Sequence, residues 1–257
     1  MKFAIVGDPV AHSLSPRIHN AGFLELGIDA EYVHMQITDA EFRGVIDRLR
    51  SGDLDGVNIT MPHKARAYSA VDSRSDDAYR TRAVNTIVSK GGQLVGHNTD
   101  IDGVRYAAKK TSLGEDTPAL ILGSGGAAAA AVVALEDSPL VVSSRDQSDA
   151  ENLLRRCSAE GTTLPWGTPL QGALVVNATP LGMHGELLPD GLVERAGGLI
   201  DMTYGEGQTA AVRDAVNFGF PYADGIDMLV GQAVSAFDIF TGQDISPFVL
   251  DAAARGA

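Results

Sequence analysis

The run ALILGSGGAAAAAVVAL, residues 119 to 135, limits the fold of this chain more than any other stretch. Its first four residues are typical of a buried strand, and its alanine-rich end is typical of a helix. Between them Gly123, Gly125 and Ala128 match G-x-G-x-x-A, a turn whose glycines let the backbone approach a pyrophosphate at a helix N-terminus. The sequence therefore predicts a dinucleotide-binding turn, whose candidate phosphate loop is Gly123, Ser124, Gly125, Gly126 and Ala127.

Short strand-like runs alternate with helical patterns on both sides of this turn. The first block contains KFAIV, AEYVHMQI and DGVNIT, with helices expected over 16–26 and 39–50. A hairpin with a KGG turn follows, and TDIDGVRYAAKK then predicts a helix capped by Asp100. The second block contains ALIL, LVVSSR, ALVVNATP and GGLIDMTY. This alternation is typical of βαβ units in parallel sheets.

The pattern predicts an α/β protein of two domains. We expect an N-terminal domain with a mostly parallel sheet over residues 1–100, and a Rossmann-type doubly wound domain over residues 101–236. The hinge is placed near residue 100, where LGEDTP soon interrupts the helical pattern.

The composition excludes several classes of protein. The formal net charge of −13 argues against a partner nucleic acid, because neutralising phosphates needs a basic face that this composition does not readily supply. The single Cys157 rules out an intrachain disulfide and a multi-cysteine zinc site, and no metal is expected. No apolar run reaches the length of about 18 residues needed to span a membrane, and MKFAIVGDPV is too quickly interrupted for a signal peptide. We expect a cytoplasmic protein that binds neither nucleic acid nor membranes.

The strand after the glycine turn bears on the choice of cofactor. It ends at Ser143, about 20 residues beyond the first glycine, where an NAD enzyme usually carries an acid for the ribose hydroxyls. No acid stands there, and Ser144 with Arg145 is instead suited to the 2′-phosphate of NADP. Asp146 opposes that assignment, and a solvated arginine after a strand is the alternative interpretation.

Because a dinucleotide implies hydride transfer, the first block is expected to bind the substrate. In GDPVAHSLSP, Ser13 and Ser15 alternate along an extended loop and so share a face. The alternative is that Ser15 caps a helix with Pro16 at its first position. In DGVNITMPHK a strand ends at Thr60 and Lys64, which indicates either a cationic site or a strand that has merely reached the surface.

The sequence resembles the shikimate dehydrogenase family over essentially its whole length. Seven segments match motifs of that family in the family's order: HSLSP, NITMPHK, AVNT, GHNTDIDG, GSGGAA, NATPLGM and DGIDMLVGQ. The resemblance implies NADP-linked interconversion of 3-dehydroshikimate and shikimate in a cleft between the two domains, by a monomer or a homodimer. It also implies that the C-terminal helices, about 237–257, return to the first domain.

The resemblance also assigns site residues. Ser13 and Ser15 would bind the ring carboxylate, and Lys64 with Asp100 would form the catalytic pair. Pro62 would open the helix after the strand. Reduction of a ketone needs a proton as well as a hydride, and an ammonium stabilises the developing oxyanion before giving up its proton. The groups expected around the hydroxyls and the ketone are Asn58, Thr60, Asn85, Asp100, Tyr204 and Gln232.

The late motifs place the nicotinamide end of the cofactor. The candidates are Asn177, Thr179, Gly225 and Met228, although a lone methionine is more commonly core packing. The first pair ends a strand at the carboxyl edge of the sheet, where ligands of doubly wound sheets bind. Gln232 follows Met228 by one helical turn.

Three departures from the family's pattern limit the resemblance. Glu206 replaces the proline of D-x-x-Y-x-P-x-x-T, and Arg82 replaces the glycine before AVNT. Asp149 stands at the second basic position after the strand, so we expect NADP to be preferred with NAD as a weaker alternative. The competing hypotheses are a quinate/shikimate dehydrogenase that uses NAD and a non-catalytic, nucleotide-binding sensor.

Overall fold

A computed structural model gives the structure of the protein and describes residues 1–205 and 207–256. The chain forms two compact units, the second of which is inserted into the sequence of the first. The first unit comprises Met1–Thr99 and the residues from Gln232 onward, and the second is Asp100–Gly231. The chain therefore returns to the first unit earlier than the residue 237 expected from the sequence.

The first unit is built on a mixed sheet of six strands. They are β1 Lys2–Gly7, β2 Glu31–Gln36, β3 Gly56–Ile59, β4 Ser73–Arg74, β5 Thr86–Lys90 and β6 Gln93–His97. Their order across the sheet is β2-β1-β3-β5-β6-β4. Strand β1 pairs in parallel with β2 and β3, whereas β5 runs antiparallel to β3 and to β6. The carboxyl ends of β1, β3 and β6 therefore share one edge with the amino end of β5.

Helices cover this sheet, and their bounds correct three expectations. They are α1 Ser15–Glu25, α2 Phe42–Ser51, α3 Lys64–Ala70 and α4 Asp76–Thr81. The helix expected over 39–50 is divided, because a 3-10 turn at Asp39–Glu41 precedes α2. Leu14 is the N-cap of α1, so Ser15 begins the helix and does not cap it. Helix α3 begins at Lys64, so Pro62 lies in the preceding turn and does not open the helix.

An aromatic cluster joins the two chain segments of the first unit. The rings of Phe3 and Phe240 stack with centroids 4.6 Å apart, and those of Phe23 and Phe237 lie 5.3 Å apart. Gly22 makes this close approach possible, since a Cβ atom there would lie 2.7 Å from the ring of Phe237. The returning segment therefore supplies part of the core of the first unit.

The second unit is built on a parallel sheet of six strands. They are β7 Ala119–Leu122, β8 Leu140–Ser143, β9 Thr162–Leu164, β10 Leu174–Asn177, β11 Gly198–Asp201 and β12 Tyr222–Ala223. Their order across the sheet is β12-β11-β10-β7-β8-β9, and every pairing is parallel. Counted within this unit the order is 3-2-1-4-5-6, which is the doubly wound Rossmann arrangement predicted from the sequence.

The helices of the second unit are α5 Asp100–Thr111, α6 Gly126–Ala134, α7 Gln147–Cys157 and α8 Ala210–Phe218. Helix α9, Gly225–Thr241, begins in the second unit and ends in the first, and α10, Pro247–Arg255, follows it. Asp100 is the first residue of α5 and not the preceding cap expected from the sequence. Across the part of the chain that the structure describes, no helix combines the length and the apolar character needed to cross a membrane.

Candidate active site

The two serines of the first loop lie beside each other. The Ser13 hydroxyl donates a hydrogen bond to the Ser15 hydroxyl at 3.2 Å and accepts one from the Ser15 backbone N–H at 3.3 Å. Ser13 is half-buried and Ser15 is buried. This loop follows β1, so the paired hydroxyls lie at the sheet edge where β1 and β3 end. Such a pair suits a small anionic group such as a carboxylate.

Thr60 and Lys64 follow β3 at this edge. Thr60 is half-buried, and its backbone N–H donates to the carbonyl of Val6 at 2.8 Å. Lys64 is half-buried, and its carbonyl accepts a hydrogen bond from the N–H of Val84 at 3.1 Å. The lysine backbone is thus tied to the segment that leads into β5.

Asn85 is the centre of a buried hydrogen-bond network at the same edge. Its Oδ1 accepts from the backbone N–H of Thr99 at 2.8 Å and from the Thr86 hydroxyl at 2.9 Å. Its Nδ2 donates to the Thr99 hydroxyl at 3.0 Å. The Thr99 hydroxyl also lies 3.3 Å from Oε1 of Gln232, which begins the returning segment. The structure therefore brings together two of the substrate-site candidates, Asn85 and Gln232, through Thr99.

Asn58 is fixed by the same network on its other side. Its Nδ2 donates to the Thr86 hydroxyl at 2.9 Å and to the carbonyl of Asn85 at 3.4 Å. Its Oδ1 accepts a hydrogen bond from the hydroxyl of Tyr32 at 2.7 Å. The sequence singled out Asn58 and Asn85 but not Tyr32 or Thr99, because nothing local to β2 or to GHNTD shows that these side chains meet.

The glycine turn of the second unit has the geometry its pattern predicts. Gly123 adopts a φ of 111°, and a Cβ atom there would lie 3.1 Å from the carbonyl oxygen of Ala178. Gly125 is the N-cap of α6, and apart from its neighbours along the chain and the backbone of its own helix, no described residue comes within 4 Å of a Cβ atom placed on it. The N-terminus of α6 therefore opens onto free space at the carboxyl edge of β7. The strand order reverses between β7 and β10, so the turn lies at the switch point where dinucleotides bind.

The residues expected near the ribose follow β8. Ser144 is buried and its hydroxyl donates to the carbonyl of Asp146, while Arg145 is exposed. The Asp146 carboxylate caps α7 and accepts from the N–H and the hydroxyl of Ser148 at 2.9 and 2.7 Å. These hydrogen bonds, first that of the Ser148 hydroxyl, lower the pKa of Asp146. Asp146 therefore stays ionised next to the arginine, and Asp149 is exposed in the first turn of α7.

Asn177 and Thr179 belong to a second buried network, centred on Asp201. Asn177 Nδ2 donates to the Asp201 carboxylate at 2.8 Å, and Asn177 Oδ1 accepts from the Thr179 hydroxyl at 2.7 Å. The hydroxyls of Thr203 and Thr209 donate to the same carboxylate at 2.9 and 2.5 Å. Burial raises the pKa of Asp201, and these hydrogen bonds offset part of that shift. Asn177 is completely buried, so it holds the loop of Thr179 in place.

The remaining cofactor candidates, Gly225 and Met228, lie in the first turn of α9. A Cβ atom on Gly225 would lie 2.3 Å from the carbonyl oxygen of Thr203, so the glycine has a packing role of its own. Met228 and Tyr204 are half-buried. Glu206, which replaces the family's proline, lies outside the described residues.

Asp100 is buried at the start of the second unit, 5 % exposed. The other member of the predicted catalytic pair, Lys64, belongs to the first unit. Among the residues the structure describes, no cluster of three or more His, Cys, Asp or Glu side chains is arranged to hold a metal ion.

Comparison with known proteins identifies the family. Residues 5–87 match the family described as shikimate dehydrogenase substrate binding domain, and residues 225–247 match the shikimate 5′-dehydrogenase C-terminal domain. The shikimate dehydrogenase (NADP(+)) of Pyrococcus abyssi is 36 % identical over 245 residues, which cover 93 % of this chain and 92 % of the relative.

Solved structures agree with the sequence relatives. A shikimate 5-dehydrogenase from Thermus thermophilus, in complex with NADP(H) and shikimate, has a TM-score of 0.91 and 32 % identity, and the match covers 100 % of this chain and 99 % of that one. A shikimate dehydrogenase in complex with NADP+ has a TM-score of 0.92 and 29 % identity, and the match covers 99 % of this chain and 94 % of that one. The resemblance inferred from the seven motifs is confirmed, and this chain belongs to the shikimate dehydrogenase family.

Proposed function

We propose that this protein is a shikimate dehydrogenase, which reduces 3-dehydroshikimate to shikimate with NADPH and catalyses the reverse reaction with NADP+. The observation that carries this proposal is a shared set of motifs. The chain keeps all seven motifs and is 36 % identical over 245 residues to a relative named for this activity. The proposed setting is the cytoplasm, where a protein with one cysteine needs no disulfide, and the proposed state is a monomer or a homodimer.

The second unit supplies the dinucleotide site. The exposed N-terminus of α6 provides backbone N–H groups and the positive end of a helix dipole, both of which suit a pyrophosphate. The open space around Gly125 leaves room for that group. NADPH supplies the hydride when it is bound there. Asn177, the last residue of β10, and Thr179, just after that strand, lie on the other side of the switch point and border the nicotinamide end of the site.

The first unit supplies the substrate site. The Ser13 and Ser15 hydroxyls bind the ring carboxylate, since hydroxyl donors suit an anion that must be released again. Asn58, Thr60, Asn85 and Gln232 bind the ring hydroxyls. The buried network behind the amides fixes their orientation before the substrate arrives, which lowers the entropy cost of binding.

Lys64 is the proton donor in the proposed reduction. Its ammonium stabilises the negative charge that develops on the ketone oxygen and then transfers a proton to that oxygen, which becomes the new hydroxyl. In the oxidation the neutral amine accepts the same proton. Asp100, at the start of α5, is the second member of the pair and accepts a hydrogen bond from a substrate hydroxyl.

The proposed cofactor preference is for NADP, by a moderate factor. Exposed Arg145 is available for charge-assisted bonds to the 2′-phosphate. The capping carboxylate of Asp146 and the exposed Asp149 place negative charge nearby, which opposes a second negative group. We therefore expect a preference of about tenfold, equivalent to about 1.4 kcal/mol.

A quinate/shikimate dehydrogenase that uses NAD is the second candidate, and the acidic residues after Arg145 favour it. Steady-state assays of shikimate and quinate, each with NADP+ and NAD+, separate the possibilities. The highest kcat/KM for shikimate with NADP+ is the expected result. Better turnover of quinate with NAD+ would select the second candidate. Failure to oxidise either compound with either nucleotide would leave a non-catalytic nucleotide-binding protein.

A further inference from the structure

Tyr32 is a buried tyrosine whose hydroxyl contacts a substrate-site candidate. Of the six described residues of β2, it alone is buried, and it is 1 % exposed. Its hydroxyl donates to Oδ1 of Asn58 at 2.7 Å, which is a short, well-formed hydrogen bond. A buried tyrosine hydroxyl usually has a hydrogen-bond partner. Here that partner is the side-chain amide of Asn58, so the contact also affects a residue of the proposed substrate site.

Helix α1 holds both the backbone and the ring of Tyr32. Asn20 accepts from the backbone N–H of Tyr32 at 2.9 Å and donates to its carbonyl at 2.8 Å. The imidazole of His19 stacks on the phenol ring with centroids 4.5 Å apart and an angle of 2° between the planes. The position of the hydroxyl is therefore set by the helix α1 and by the strand, and not by Asn58.

The hydrogen-bond partners of Asn58 distinguish the oxygen of its side-chain amide from the nitrogen. Nδ2 lies 3.4 Å from the carbonyl oxygen of Asn85, which only accepts hydrogen bonds, so this end of the amide must be the NH2 group. The second Nδ2 hydrogen is directed to the Thr86 hydroxyl at 2.9 Å. Both donors of the amide are thus engaged within the protein. What the amide can offer a ligand is the second lone pair of Oδ1.

We propose that Tyr32 is a positioning residue, which holds Asn58 with its amide oxygen as the group presented to the substrate. The inference rests on the proposed function and deepens it. With the amide so held, the substrate must donate a hydrogen bond to Asn58, which a ring hydroxyl can do and a carbonyl or ether oxygen at the same ring position cannot. Tyr32 therefore contributes to selectivity for a hydroxylated ring without touching it.

The variant Tyr32→Phe tests the proposal, because it removes one oxygen atom and keeps the ring and its stacking. We expect KM for shikimate to rise about 3- to 15-fold, with a smaller change in kcat and a change of less than about twofold in KM for NADP+. Tyr79→Phe is the control: it removes the same oxygen from an exposed tyrosine of the same unit. The thermal midpoint of each variant shows whether the fold is retained.

A double-mutant cycle shows whether Tyr32 acts through Asn58. In the Asn58→Ala background, which itself raises KM for shikimate, Tyr32→Phe should produce no further rise. An equal fold-change in both backgrounds, or an unchanged KM in Tyr32→Phe alone, would overturn the positioning role while leaving the proposed function intact. If the wild type itself fails to oxidise shikimate, both proposals are wrong.

Discussion

Each unit of this protein places a buried polar network beneath the loops at one edge of its sheet, but the two networks differ in charge. The network of the first unit consists of neutral side chains, Asn58, Asn85, Thr86 and Thr99, all of them 4 % exposed or less. The network of the second unit is centred on a carboxylate, Asp201, which accepts hydrogen bonds from an amide and two hydroxyls.

The two networks satisfy buried polar groups in two different ways. Neutral amides and hydroxyls satisfy each other without a large desolvation cost, and their hydrogen bonds do not depend on pH. A carboxylate can gather more donors around one point and so joins the segments after β10 and β11 to the start of α8, but its burial raises its own pKa. The first unit thus has a pH-independent site scaffold, whereas the second has one that titrates.

The largest expected effect concerns Lys64, the proposed proton donor of the first unit. Lys64→Ala should reduce kcat for shikimate oxidation by roughly 100- to 10,000-fold, because a positioned acid and base is lost, with a much smaller change in KM. Steady-state kinetics with saturating NADP+ measure this. Lys90→Ala removes the same charge from an exposed position of the same unit and should leave kcat and KM unchanged. Near-normal turnover by a folded Lys64→Ala protein would refute the assignment.

The second prediction concerns His19, a buried titratable side chain of the first unit that stacks on Tyr32 behind the neutral network. Burial lowers the pKa of His19 to about 3, and no hydrogen-bond partner for either ring nitrogen exists among the described residues. The unfolded state therefore binds more protons, and stability is lost as the pH falls below 6.5. We expect a loss of about 3 kcal/mol between pH 7 and pH 4 from this group.

Urea unfolding at a series of pH values measures this loss. His19→Phe keeps a ring in the stack and should flatten the acid limb of the stability profile. His184→Phe, at an exposed histidine of the second unit, should leave that limb as it is in the wild type. A wild-type slope retained in His19→Phe would show that other groups cause the acid sensitivity.

The third prediction concerns Asp201, whose effect on stability changes with pH in the opposite direction to that of His19. Because its pKa is raised in the folded protein, the native state binds more protons just above the ordinary value of 3.8, and this contribution to stability is lost as the pH rises through the folded pKa. Asp201→Asn should remove that component. Asp201→Ala also removes the acceptor of three side-chain donors and should cost about 2 to 3 kcal/mol.

Asp146→Asn is the matched control for Asp201→Asn. The pKa of Asp146 is lowered, so its contribution to stability is lost as the pH falls and its removal changes the profile in the other direction. Urea unfolding of the wild type and the two Asn variants between about pH 2 and pH 8 compares them, because the contribution of Asp146 is lost only below its ordinary pKa of 3.8. Identical changes in the two Asn variants would contradict the distinction between a buried and a capping carboxylate.

The smallest effect compares two helix ends. Arg82 and Ser158 are both left-handed C-caps, with φ values of 53° and 54°. Arg82 lies over the Tyr79 ring at 4.7 Å and donates to the Tyr68 hydroxyl at 2.9 Å. These contacts offset the backbone strain, so Arg82→Gly should change stability by less than about 0.5 kcal/mol.

Ser158→Gly is the comparison for Arg82→Gly, because it relieves the same backbone strain at an exposed residue. It should stabilise the protein by about 0.5 kcal/mol. Arg82→Ala keeps the strain and loses the stacking, so it should destabilise by about 1 kcal/mol. Chemical denaturation at pH 7 resolves these differences. A clear gain in stability for Arg82→Gly would mean that the tyrosine contacts contribute little.

The sequence predicts the parts of this structure that depend on local pattern. Residues 119–135 carry the pattern of a strand, a glycine turn and a helix, and the alternation of strand and helix along the second block is enough to predict a Rossmann sheet. The sequence leaves two roles open for Ser15, capping and binding, and capping is wrong because Leu14 is the N-cap and Ser15 is the first residue of α1. The roles assigned to the site residues remain predictions.

What the sequence does not predict depends on contacts between distant residues. Tyr32 and Asn58 are 26 positions apart, and no periodicity indicates that their side chains meet. The raised pKa of Asp201 follows from burial by several segments, which no local pattern records. The pairing of Thr99 with Gln232 spans 133 positions and exists only because the chain returns.

That return has a consequence for how the protein is made. The second unit is one continuous stretch, so a ribosome can release all of it before the last segment emerges. The first unit begins earlier but is completed later, because its aromatic core needs Phe237 and Phe240 and its helix α1 packs against α10. We therefore expect the second unit to complete its fold before the first, the reverse of the usual order in which the N-terminal domain folds first during synthesis. Until residues 237–240 have been synthesised, the rings of Phe3 and Phe23 lack two of their aromatic packing partners.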